Sequence, residues 1–158
     1  MEPNKIREYV SRLETTKSLE AEAAWAELRP LGIEVVRYLA EAYPKMKKWQ
    51  GRVSLVFHSI RYAKDSEDAF QLGIKALNDR ATLVRYRACG LLAYSQRKEA
   101  ITHLKKLLKH EDNETVADAK AAIDAIKKRN HHYFIDRDHS GKTFWQVTEK
   151  DKIAEQHL

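Results

Sequence analysis

Apolar residues recur at helical spacing along almost the whole chain, with polar residues between them. Ile6, Tyr9, Val10 and Leu13 form one stripe, with Pro3 placed for a first helical turn. Ser18 is suited to cap a second helix carrying Leu19, Trp25 and Leu28, which Pro30 stops. Val35, Val36, Leu39 and Tyr43 make a third stripe that ends at Pro44. Trp49, Val53, Val56, Phe57 and Ile60 make a fourth. Asp65 or Ser66 is placed to cap a fifth, with Phe70, Ile74 and Leu77 inward. Val84, Ala88, Leu91 and Leu92 mark a sixth helix, and Ile101, Leu104, Leu107 and Leu108 a seventh. Asn113 is a candidate cap for an eighth, with Val116, Ala119, Ile123 and Ile126 inward. Eight helices of roughly 10–16 residues with short connections predict antiparallel neighbours.

The stripes repeat. Val53, Phe57 and Ile60 lie 31 residues before Val84, Ala88 and Leu91, and Val116 and Ile123 lie 32 residues after Val84 and Leu91. Two helices per repeat at that period predict an α-solenoid. The stretch Ala76–Tyr94, "ALNDRATLVRYRACGLLAY", resembles a HEAT repeat of the short bacterial type, the PBS-lyase HEAT-like or armadillo-type kind, through Leu77, Asp79, Val84, Arg85, Ala88, Leu91 and Leu92. A second copy, Leu107–Ile126, matches through Asp112, Val116, Ala119, Ala122 and Ile123. It departs from the pattern at Ala117, which occupies the place of the arginine, so this alignment carries no arginine ladder into the last repeat. The match is close over 66–129 and looser over 31–62. The resemblance implies an all-α fold, a right-handed solenoid of about four helical hairpins over residues 1–130. It also implies a curved surface on which another molecule docks, as in scaffolds, adaptors, phycobilin-lyase-like proteins and a small class of DNA glycosylases.

Residues 131–158 break the helical pattern. "HYFID" and "KTFWQV" are short aromatic and β-branched runs around "RDHSG", which has turn composition and a glycine suited to positive φ. They predict a C-terminal β-hairpin cap on the last helical pair, with His132, Arg137 and Trp145 on its outer face. The same stretch offers ion-binding readings. Asp136, Asp138, Ser140 and Gly141 spell the start of an EF-hand loop, but position twelve is Val147, where a bidentate Glu is needed. His131, His132, His139 and Asp136 have ligand chemistry, yet adjacent histidines on an extended chain point apart. No metal and no cofactor are expected.

Composition narrows the function classes. A chain that is 43% hydrophobic and 33% charged has a globular balance. A single cysteine, Cys89, excludes an internal disulfide and sits in an Ala/Leu-rich helix as a small core residue. The first residues carry charges where a secretion signal needs an apolar run, and no apolar stretch reaches the ~18 residues of a membrane span, so a cytoplasmic protein is expected. Net charge is +6, and the excess lies in residues 69–130, with 13 Lys and Arg against 7 Asp and Glu. That favours an acidic partner, protein or nucleic acid.

Candidate contact residues follow. Lys45, Lys47, Lys48 and Arg52 stand beside Tyr43 and Trp49, a pattern suited to phosphates and stacked bases. The alternative is a solvated connector with Trp49 turned inward. Arg85 and Arg87, with Arg80 and Tyr86, form a second basic group, in which Arg85 has the turn residue Asp79 as a candidate ion-pair partner. Lys105, Lys106 and Lys109 are expected on an outer helix face. No Gly-rich phosphate loop, nucleophile elbow or H-E-x-x-H is present. A glycosylase-like reading needs an Asp in a basic cleft, with Asp65, Asp79 and Asp118 as candidates. The expectation is a non-enzymatic binding protein, an adaptor or a toxin antidote, that docks a protein near Lys47, Lys48, Trp49, Arg52, Arg85, Arg87, His132, Arg137 and Trp145. Nucleic-acid binding is the rival.

Overall fold

A computed structural model describes residues 1–141. Eight α-helices lie among them, one for each apolar stripe. They are α1 (Pro3–Ser11), α2 (Ser18–Leu28), α3 (Val36–Ala42), α4 (Trp49–Ser59), α5 (Glu67–Ala76), α6 (Thr82–Ser95), α7 (Ala100–Lys106) and α8 (Asn113–Lys127). Short 3-10 turns extend α2, α3, α4 and α7, and a last one spans His131–Phe134. The prolines act as expected: α2 ends before Pro30 and α3 before Pro44. Of the caps, Ser66 accepts the Ala69 amide at 3.1 Å and starts α5. At α8 the cap is Asp112, not Asn113. Its carboxylate accepts the Glu114 amide at 3.0 Å.

The helices pair as hairpins, α1 with α2, α3 with α4, α5 with α6 and α7 with α8. First helices also pack on one another, α1 on α3 and α3 on α5, while second helices pack α4 on α6 and α6 on α8. Every helix except α2 and α7 thus packs both on its hairpin mate and on a helix of a neighbouring repeat. Two buried clusters result. One joins α1–α4 through Leu13, Leu28, Leu39 and Leu55, and the other joins α4–α8 through Val56, Leu91, Leu92 and Leu104. Neighbouring residues Leu55 and Val56 of α4 enter different clusters, so α4 is the joint between the two halves.

Three residues counted in the apolar stripes face water instead. Leu19 is 78% exposed, Trp49 45% and Leu108 37%. Leu19 and Trp49 begin or nearly begin their helices, where the turn has no neighbour to cover it.

The expected β-hairpin is corrected on its first arm. Residues 131–134 form a 3-10 turn, not a strand. Asn130 accepts the His132 amide with its side chain, and Asp136 accepts the amides of Ser140 and Gly141. These local bonds engage backbone groups that a strand ladder would need. Phe134, only 3% exposed, then plugs into the cluster of α4–α8 beside Gly90. The second arm, 142–147, lies outside the described residues. No described helix is long and apolar enough to cross a membrane.

Candidate binding surface

The polar residues between repeats obey a period of 33, which the apolar stripes blurred. Arg52 of α4 reaches Asp79, in the turn before α6, with Nε at 2.8 Å and Nη2 at 3.1 Å. Arg85 of α6 reaches Asp112, in the turn before α8, at 2.9 Å. Position 118 follows in the same series, and there an aspartate replaces the arginine. Asp118 accepts from Arg137 at 2.9 Å. The ladder therefore continues past Ala117 with its charges exchanged, and the exchange ties residues 134–141 to α8.

These contacts correct two expectations. Arg52 and Arg85, placed by sequence near a partner surface, are buried and engaged in internal ion pairs. Arg85 does not pair with the Asp79 carboxylate. Its Nη1 donates to the Asp79 backbone carbonyl at 2.8 Å, and its charge partner is Asp112. Asp79 also accepts from the Tyr43 hydroxyl and the Ala81 amide. Burial works to raise the Asp79 carboxyl, but Arg52 and Tyr43 outweigh it and hold it below the usual carboxylate range. Burial and the bond to Asp79 push the Tyr43 hydroxyl up, so it stays a donor. Neither Asp79 nor Asp118 has a carboxylate turned to an open cleft.

The basic segment 45–49 is held from behind. Glu14 accepts the amides of Lys47 and Lys48, and Arg52 donates to the carbonyls of Met46 and Lys47. The side chains of Lys47, Lys48 and Trp49 are left outside. Trp49 turned into the core is thus not what the chain does.

The open part of the second-helix layer lies between α2 and α4. Trp25 of α2 stacks on His58 of α4 with ring centroids 3.8 Å apart and planes 11° apart, and Phe57 meets the same imidazole edge-on at 5.0 Å. Together with Ala21, Ala26, Gln50 and Ser54, and with Arg29 and Glu22 at the rim, they line a groove of about 470 Å³. Arg87, buried, lies over the Phe57 ring at 5.0 Å and the Tyr86 ring at 5.2 Å. Burial pushes its guanidinium down to about 10, which leaves it charged at neutral pH. Trp25 and His58 stand 33 residues apart, as do Phe57 and Gly90. The period of the polar ladder would have put Trp25 and His58 side by side. Sequence reasoning placed Trp25 only in an apolar stripe and missed His58, because it aligned the repeats at 31 and 32.

Beyond Gly90 the same layer is covered. The 131–134 turn packs on α6 and α8, and the Phe134 and Tyr86 ring centroids are 5.5 Å apart. His132 is exposed, and Arg137 bridges Asp118 and the Phe134 carbonyl. Trp145 lies outside the described residues. The D-x-D-x-S-G loop uses Asp136 on its own donors, the Ser140 amide and hydroxyl and the Gly141 amide. No cluster of three or more His, Cys, Asp or Glu among the described residues is arranged around an ion site.

His131 stacks on Tyr94 with centroids 4.3 Å apart. Burial, then His132 and Lys64, push its imidazole down from 6.5 to about 4. The fold therefore favours the neutral ring. Its contribution is complete above pH 6.5 and is lost as pH falls from there toward 4, because the unfolded chain binds the proton first. Urea melts between pH 7 and pH 4 should show a smaller loss of stability in His131→Phe than in the parent chain. Equal pH dependence in both would contradict this assignment.

No protein-family model matches the chain, and no curated protein aligns with it significantly.

Proposed function

We propose that this chain is a right-handed HEAT-like α-solenoid that acts without catalysis, as an adaptor or antidote that holds another protein on its second-helix layer. The observation that carries the reading is the α2–α4 groove. It has an aromatic floor of Trp25, Phe57 and His58 with a guanidinium at the rim, the composition of an interface anchor site. The rest of the layer is already occupied by the chain's own Phe134 segment, so the groove is where a partner's side chains have room. The basic balance of the chain favours a partner with an acidic rim.

Affinity capture from the native lysate with mass spectrometry tests it, comparing the parent chain with Ala26→Arg. Ala26 is exposed, lines the groove and tolerates a long helix-forming side chain. The expected result is a discrete protein that binds the parent and is lost from the variant. Capture of nothing, or of the same protein by both, would overturn the reading.

A further inference from the structure

The buried Arg52–Asp79 pair ties together two turns at the surface, those before α4 and α6. Arg52 is bonded at once to the carbonyl of Lys47 and to the carboxylate of Asp79. It therefore clamps the turn before α4 to the turn before α6. The exposed cations at and beside them are Lys45, Lys47 and Lys48 on one side and Arg80 on the other, with Trp49 next to Lys48. None of these four cations takes part in an ion pair among the described residues. The strip ends at the next turn, where Glu111 and Glu114 are exposed.

We infer that this strip is a binding site for single-stranded nucleic acid. The cations neutralise successive phosphates, and the Trp49 indole is a platform for one base. Two observations favour nucleic acid over an acidic protein. The strip is mostly lysine, which protein interfaces avoid and phosphate contacts use. Its one apolar group is a flat ring at the edge of the charges, and base stacking needs such a ring. The backbone under the strip is fixed by Glu14 and Arg52, so little ordering is left for binding to supply.

Fluorescence anisotropy of a labelled oligothymidylate titrated with the full chain at low salt tests the site. Saturable binding is expected, weakening with salt at a slope of about −3 in log K against log salt, for four phosphates on a single strand. Lys47→Glu/Lys48→Glu should weaken binding at least tenfold. Trp49→Ala should weaken it about fivefold and leave the salt slope unchanged, because it removes stacking and no charge. Lys105→Glu/Lys106→Glu, the same charge change on exposed lysines of α7, should weaken binding far less, which separates the strip from the chain's overall charge. Circular dichroism checks that the exposed substitutions leave the fold intact. Three results would overturn the proposal: no binding, binding indifferent to both strip variants, or tighter binding of a poly-glutamate chain of equal charge.

Discussion

Asp79→Ala should cost about 3–5 kcal/mol of folding stability, the largest loss expected from any single polar residue here. The carboxylate is 4% exposed and its partner guanidinium 8%. Removing it leaves the buried Arg52 charge without its counterion and the Tyr43 hydroxyl without its acceptor. It also frees the turn that starts α6, since the Ala81 amide loses its acceptor. The cost is therefore mainly that of a stranded charge, and not the net worth of the pair. Removing both charges in Arg52→Met/Asp79→Leu should recover much of it, because an apolar pair does not need the counterion. Urea denaturation of the parent, the single and the double variant reads all three. A single variant within about 1 kcal/mol of the parent would show that the rung is not a structural tie.

Phe134→Ala should cost about 3 kcal/mol. The ring is 3% exposed and fills the space above Gly90, where an added Cβ would lie only 3.2 Å from it. The adjoining tie, Arg137 to Asp118, is partly exposed and weaker. Losing the ring should release the segment before the helices melt, so hydrogen exchange at the amides of 131–136 should speed up more than exchange in α4. Gly90→Ala should act in the same direction with a smaller effect. Unchanged exchange at 131–136 in Phe134→Ala would contradict the packing.

All eight helices were legible in the sequence, because each buries a stripe against at least one neighbouring helix and such burial leaves a 3.6-residue period. The register of the repeats was not. Apolar positions on adjacent turns are interchangeable within a stripe, so Val53 aligned with Val84 as well as any other choice. Ion pairs allow no such slip, and Arg52, Arg85 and Asp118 mark the period as 33. The 131–134 turn was misread for a related reason. Tyr133, Phe134 and Ile135 have strand propensity, but the side chains of Asn130 and Asp136 took the backbone donors. Of the contact residues named from sequence, Lys47, Lys48 and Trp49 are exposed as a binding role requires. Arg52 and Arg85 are consumed inside the ladder, since a motif shows charge and not its partner. The groove itself needed the structure. Trp25 and His58 come from different repeats, and neither has a distinctive neighbour along the chain.

The second-helix groove is the proposed docking site. Hydrogen–deuterium exchange of the chain, alone and saturated with the protein it captures, tests that most directly. Protection is predicted in residues 18–29 and 49–59, with α3, α5 and α7 unchanged. Protection on α3, α5 and α7 instead, with 18–29 and 49–59 unaffected, would contradict it.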